Sequence, residues 1–346
     1  MNPLDILRLH TSNSSDNLHV GFSLQSHCFP HRRFNSAICR IAEMHHYSQI
    51  NQVSTGLVLS GFTGVGKSTI VKYYAEQFSR SAENGVTRIP VLVVNTPGKP
   101  SLRSLGEAIL IAMGDPMAHR DSGEQKTARI KKFIERCQVE LIIFDEFHHC
   151  FFTANTNKFR EITDWLKSLM NSTSICLIVA GLPEAEEVIK TNSQLTRRLS
   201  SRIALSPFLY EDEDDFREFR GLLKTFQEKL PLPVVTPLHE ANLARRFIVA
   251  SGGRLDYIRK VLEGAVAAAY LAGIKVLDLP TYASGFRNEV WDKAPDRLNP
   301  FHADAILRPL IKAGEPFETS GYSNLIGSPV AIRLGLVGRK KGDSNG

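Results

Sequence analysis

No apolar run in this sequence approaches the roughly 20 residues that a membrane-spanning helix requires. The opening stretch, MNPLDILRLHTSNSSD, lacks the basic-then-apolar layout of a secretion signal. Both absences predict a soluble, cytoplasmic protein with no membrane partner. Cysteine is sparse: Cys28, Cys39, Cys137, Cys150 and Cys176 are odd in number, scattered, and never spaced C-x-x-C. That usage argues against a disulfide framework and gives no zinc pattern. His148, His149 and Cys150 are adjacent, but no second ligand group has matching spacing, so the trio is not assigned a metal. No internal repeat is present. Charge is not one-sided either: 42 Lys and Arg against 36 Asp and Glu leave +6, compatible with a polyanionic partner without identifying one.

What is present is length and apolar content. A chain of 346 residues exceeds what one compact domain usually needs, and 42% apolar against 23% charged residues is enough to bury a real core. An apolar spacing at Phe34, Ile38, Ile41 and Met44 predicts an amphipathic helix. Four short apolar runs without polar alternation, at 56–60, 91–94, 141–144 and 175–179, predict buried strands, and 202–205 a fifth. Helical segments at 68–78, 101–113, 127–138, 160–170 and 183–190 separate them. This order predicts a parallel sheet covered on both faces, an α/β three-layer α-β-α domain. After Pro207 the pattern changes to three helices, at 211–230, 237–250 and 254–272, a small helical domain. Residues 1–30 are expected to be an N-terminal extension, 31–206 the α/β domain, 207–274 the helical domain and 275–346 a tail. The Thr11–Asn17 cluster is expected to be a loop and the polar, basic end at Gly338–Gly346 disordered. Within the tail, Tyr282, Phe286, Trp291 and the Asn299-Pro300-Phe301-His302 stretch are expected to pack on the protein's own body.

The segment Gly61-Phe62-Thr63-Gly64-Val65-Gly66-Lys67-Ser68-Thr69 matches G-x-x-x-x-G-K-[ST], between a strand and a helix as that motif requires. Its glycines let backbone N–H groups curl around phosphate oxygens, Lys67 brings a positive charge to the outer phosphates, and the helix N-terminus adds its dipole. The Ser68 hydroxyl is expected to ligate Mg2+. About 80 residues on, Leu141-Ile-Ile-Phe144 ends in Asp145-Glu146, a carboxylate pair at the C-terminal end of a core strand, where ligands bind in such sheets. Asp145 is expected to hold the Mg2+ of bound ATP and Glu146 to polarise the attacking water. Arg197 and Arg198, with Arg202 behind them, lie at a helix end before the fifth strand. Two readings stand side by side: an arginine reaching the γ-phosphate held by a neighbouring subunit, or a basic cap on a helix C-terminus. Arg254, after Gly252-Gly253, is placed to touch bound nucleotide from the helical domain.

Together the P-loop, the Asp145-Glu146 pair, the late arginines and the helical lid resemble AAA+ ATPases. More narrowly, the chain resembles the TniB/TnsC group of transposition regulators, similar in role to MuB, over roughly residues 30–272. The residues carrying this are Asn95-Thr96-Pro97, Pro100-Ser-Leu-Arg-Ser-Leu105, Met113-Gly114-Asp115-Pro116, Phe144-Asp-Glu-Phe-His-His149, Ala180-Gly-Leu-Pro-Glu-Ala185 and Gln194-Leu-Thr-Arg-Arg198. The resemblance implies a homo-oligomeric ring or filament formed with ATP on duplex DNA without sequence preference. It also implies a link between a TniQ-like target selector, sometimes with a CRISPR effector, and a DDE transposase, with hydrolysis driving disassembly. It implies DNA-phosphate contacts from Lys99 and Arg103, and secondarily Lys158 and Arg160. One departure is that the end of the fourth strand, where AAA+ proteins carry a polar sensor residue, reads Ala180-Gly181-Leu182-Pro183. Hydrolysis that is slow or differently organised is expected from it, which a switch tolerates better than a motor. A replication-type AAA+ loader, or a signalling NTPase acting only through protein partners, are the alternative readings.

Overall fold

The computed structural model describes residues 22–83, 85–152, 156–191 and 193–318; the expected loop at 11–17 and the expected disordered end lie outside them. The chain divides into two compact units, residues 33–206 and residues 207–318 with the segment up to Arg32.

The first unit is built on a five-stranded parallel sheet of β1 (Thr55–Gly61), β4 (Val91–Asn95), β5 (Leu141–Asp145), β6 (Cys176–Gly181) and β7 (Ser201–Leu205), in the order β4-β5-β6-β1-β7. All five residues of β5 and all six of β6 are buried, as strands covered on both faces must be. The covering helices are α1 (Arg32–Asn51), α2 (Lys67–Glu76), α3 (Leu102–Ala112), α4 (Gly123–Arg136), the short α5 (His149–Phe152), α6 (Thr156–Ser172), α7 (Pro183–Thr191) and α8 (Ser193–Arg198). After β1 the chain runs out to β4 at the sheet edge and returns strand by strand, which makes the C-terminal end of β1 a switch point. Local chemistry sets the helix starts: Ser101 with Ser104, and Ser122 with Gln125, form reciprocal caps on α3 and α4. The polar hairpin of β2 (Ser81–Glu83) and β3 (Val86–Arg88) has no counterpart in the expectations, because three-residue strands carry no periodicity to read.

The second unit is helical, with α9 (Glu213–Gln227), α10 (Ala241–Ser251), α11 (Leu255–Leu271) and α12 (Leu279–Glu289) around one core. It extends beyond the expected 207–274. Leu277, Tyr282, Phe286, Phe301 and Phe317 are buried in the same cluster as Phe219, Phe247 and Ile258. Arg246 donates to the carbonyls of Pro300 (2.6 Å) and His302 (2.9 Å), and the fully buried Asn299 donates to Ala283 O at 3.0 Å. The segment after 275 therefore completes the helical core instead of trailing from it, each large side chain contributing roughly 1.5–3 kcal/mol by burial. The expected extension over 1–30 differs likewise: Leu24 and Phe29 are buried in this core, and Phe29 stacks on Phe226 at 3.8 Å.

One charged group is deeply enclosed. Lys126 on α4 is completely buried, donates to Ala118 O, and lies 3.5 Å from the Glu107 carboxylate on α3. Removing the carboxylate would strand a buried cation. Glu107→Ala is therefore expected to destabilise the protein by about 2 kcal/mol in urea unfolding, short of the full cost of breaking a buried pair because Glu107 is partly solvated. No change in the urea midpoint would contradict this pairing.

Candidate functional site

The C-terminal edge of the sheet gathers the motif residues. β1 ends at Gly61, and the loop that follows turns through Gly64 (φ 83°) and Gly66 (φ 100°), the left-handed region that side chains disfavour. Gly66 is the N-cap of α2 and has no side chain with which to cap it, and a Cβ there would meet nothing within 4 Å. The helix start thus faces open space with its dipole and N–H groups, a cradle for an anion. Lys67 is 6% exposed, and its Nζ donates to Gly61 O (2.7 Å) and Phe62 O (2.9 Å), so the ammonium bridges the loop's own carbonyls. Val65 is buried beneath the loop, Ser68 is half-buried, and Thr63 and Thr69 face solvent.

Asp145 closes β5 at the same edge and is 5% exposed. By strand register it stands level with Ala180 of β6 and Leu59 of β1, about 10 Å from β1 across two strand spacings. Its Oδ1 accepts the N–H of Glu146 at 2.9 Å. Glu146 has φ 54°, a left-handed conformation for a non-glycine residue, of the kind that concentrates at functional sites. Immediately after, Phe147 N donates to Ala180 O at 2.8 Å, carrying the chain over the end of β6. Gly181, where the expected polar residue is absent, is crowded by this turn: a Cβ there would come within 3.2 Å of His148 N and 3.3 Å of the Ala185 Cβ. The polar group above that strand end is His148 itself, supplied by the loop after β5.

His148 is 8% exposed, with Nε2 3.3 Å from Glu146 Oε2. Burial, then the neighbouring His149 and the Lys67 ammonium, push its pKa down to about 4, partly offset by the Asp145 carboxylate. The imidazole is therefore neutral at neutral pH and shares one electrostatic environment with Lys67 and Asp145. Glu184, in the first turn of α7, is a second residue that motif reading passed over. Its half-buried carboxyl is raised by burial, an effect the Lys67 charge opposes, and its Oε2 is buried with no hydrogen-bond partner. Neither role was legible in sequence, because both depend on how β6 ends.

The structure thus brings the loop 61–69, Asp145 and Glu146 to one edge of the sheet, and these fit a nucleoside triphosphate with a divalent cation: an uncapped helix start, a buried ammonium and a buried carboxylate beyond the ends of β1 and β5, with β6 between them. The other candidates are spread more widely. Arg197 is exposed at the end of α8, whereas Arg198 donates to Asn171 Oδ1 within its own chain. Arg202 Nε lies 3.9 Å from Glu186 Oε1. Arg254 belongs to the helical unit, where its guanidinium sits 5.2 Å from the Phe317 ring and 5.9 Å from that of Tyr257. Lys99 and Arg103 are exposed on the loop after edge strand β4 and the first turn of α3; Lys158 and Arg160 are exposed early on α6. The adjacent trio at 148–150 does not act together, since Cys150 is buried in the core and burial pushes its thiol far above the usual range. Among the described residues no helix is long and apolar enough to cross a membrane.

The bacterial TniB protein family matches this chain over residues 22–210. No curated protein matches it. Among solved structures, the chain is similar to the Aeropyrum pernix ORC2 protein in its ADPNP-ADP complexes, with TM-score 0.58 and 14% identity over 77% of this chain and 71% of that one. It is similar to the Aeropyrum pernix ORC1 protein in complex with DNA, with TM-score 0.58 and 16% identity over 78% and 69%. It is also similar to Cdc6p from Pyrobaculum aerophilum, with TM-score 0.57 and 13% identity over 80% and 71%. At these identities the likeness is one of fold: an α/β domain with a parallel sheet followed by a helical region.

Because His148 is held neutral in the folded protein, its folded pKa lies below the usual value of 6.5. The unfolded chain then binds the proton first, so this contribution to stability is complete above about pH 6.5 and is lost as pH falls toward 4. Thermal unfolding of wild type between pH 7.5 and 4.5 is expected to lose a few degrees more than that of His148→Gln. Equal losses in the two proteins would contradict the buried neutral imidazole.

Proposed function

We propose that this chain, which belongs to the bacterial TniB family, is an AAA+ ATPase that assembles on duplex DNA when ATP is bound and regulates DNA transposition. The observation carrying this reading is the convergence of Lys67, Asp145 and Glu146 at the C-terminal edge of one sheet, beside an uncapped helix start.

In this reading the N–H groups of the 61–69 loop bind the phosphates of ATP, and Lys67 moves its ammonium from the Gly61 and Phe62 carbonyls to the outer phosphates. Ser68 and Asp145 would hold Mg2+, which when bound offsets negative charge on the phosphate oxygens. Glu146 orients the attacking water and accepts its proton. His148 holds the Glu146 carboxylate to one side of the site. Arg197 is the better-placed of the two adjacent arginines to reach nucleotide on a neighbouring subunit, since Asn171 already occupies Arg198. Arg254 is a secondary candidate for nucleotide contact. Triphosphate bridging two subunits favours the assembled state, and hydrolysis, slow enough to serve as a switch, releases it. Lys99 and Arg103, with Lys158 and Arg160 after them, bind DNA phosphates and read no bases. The implied partners are a TniQ-like target selector and a DDE transposase.

A second reading, a replication-type AAA+ loader, is favoured by the fold likeness to ORC and Cdc6 proteins. The TniB match over 22–210 weighs against it, and dependence of activity on a transposase rather than a replicative helicase separates the two.

Lys67→Ala is expected to abolish binding of a fluorescent ATP analogue. Glu146→Gln is expected to retain it while hydrolysis falls about 100-fold or more. Undiminished turnover in Glu146→Gln would remove Glu146 from its role. Lys99→Ala combined with Arg103→Ala is expected to weaken retention on generic duplex DNA about tenfold or more at moderate salt, with nucleotide binding intact. Unchanged retention would exclude this pair.

A further inference from the structure

The turn after β5 does more than position one carboxylate. Glu146, His148 and His149 each present a ligand atom, and all three atoms lie within 4.8 Å of one another. Glu146 Oε2 and His148 Nε2 are 3.3 Å apart, close to the edge spanned by two ligands about 2.0–2.1 Å from one tetrahedral ion. The two imidazole rings have centroids 4.6 Å apart and planes inclined by 39°, so they neither stack flat nor point apart.

This grouping is imposed by the backbone. The left-handed turn at Glu146, the Phe147 N–H to Ala180 carbonyl bond, and the contact of His148 N over Gly181 hold the three residues on one side of the loop. Cys150, the neighbour that sequence adjacency would enlist, faces the core instead. His148 is nearly enclosed while Glu146 and His149 are partly exposed, which leaves an ion a way in.

We propose that Glu146, His148 and His149 form a site for a divalent transition-metal ion of the zinc class, separate from the Mg2+ position at Ser68 and Asp145. Two imidazoles and one carboxylate suit such an ion, whereas Mg2+ takes oxygen ligands. Three protein ligands leave one position for water or a phosphate oxygen. The Lys67 ammonium is the opposing charge nearby and the Asp145 carboxylate offsets it. An ion held here ties up the Glu146 carboxylate, so it cannot accept a proton from water, and the protein stays triphosphate-bound. That consequence rests on the proposed role of Glu146; the site itself does not.

Co2+ titrated into the nucleotide-free full chain tests the site by its visible ligand-field absorption. The expected result is absorption that saturates at one equivalent, is displaced by Zn2+, and is retained in Cys150→Ala. Affinity should fall by more than about tenfold in His149→Ala and, separately, in Glu146→Gln. No saturable absorption in wild type, or full absorption in both ligand variants, would overturn the proposal. Absorption that depends on His149 in a protein without ATPase activity would uphold the site and refute the function proposed above. Zn2+-insensitive hydrolysis together with absent Co2+ absorption would uphold that function and refute the site.

Discussion

The 2.8 Å hydrogen bond from Phe147 N–H to the Ala180 carbonyl fixes where the chain goes after β5, and the candidate site depends on that path. It works with the bonds from Glu146 N to Asp145 Oδ1 and from His149 N to Glu146 O, in a turn where Glu146 holds a left-handed φ of 54° and His148 N crowds Gly181. The same bond joins two neighbouring strands past the end of their ladder, so Asp145 is set by the sheet and Glu146 by a turn pinned to it. A buried strand end is among the more rigid supports a fold can offer, and groups that must meet a phosphate within a fraction of an ångström need one.

Lys67, the first residue of α2, supplies the counterpart beyond the end of β1. Its ammonium is nearly buried and bonded to two carbonyls of the loop it follows. A buried charge needs partners, and here they are provisional ones that phosphate oxygens can replace. Around it lie the neutral His148 and the half-buried Glu184, whose orphaned carboxylate oxygen costs stability in this arrangement. Such an unsatisfied group next to the 61–69 loop is a place where the proposed nucleotide would change the balance of charges.

Much of this was legible in the sequence for identifiable reasons. The strands at 56–60, 91–94, 141–144 and 175–179 are short, mainly apolar runs without polar alternation, and a parallel sheet buried on both faces leaves that trace, while edge strand β7, which carries Arg202, leaves a weaker one. The P-loop and Asp145-Glu146 are contiguous motifs tied to strand ends. What stayed hidden depends on contacts distant in sequence. His148 gains its position from Gly181, Arg198 is occupied by Asn171, and Asn299 and Phe301 join the helical core through Ala283 and Arg246 with no helical spacing to announce them. Leu24 and Phe29 likewise look like an extension until α9 supplies Phe226 to stack on.

The central claim is that bound triphosphate turns this chain into an assembly on DNA. Negative-stain microscopy of the purified protein with generic duplex DNA, in a slowly hydrolysed ATP analogue and in parallel with ADP, tests it most directly. The account predicts rings or filaments along the DNA with the analogue and bare DNA with ADP. Dispersed particles and bare DNA in both nucleotides would contradict it.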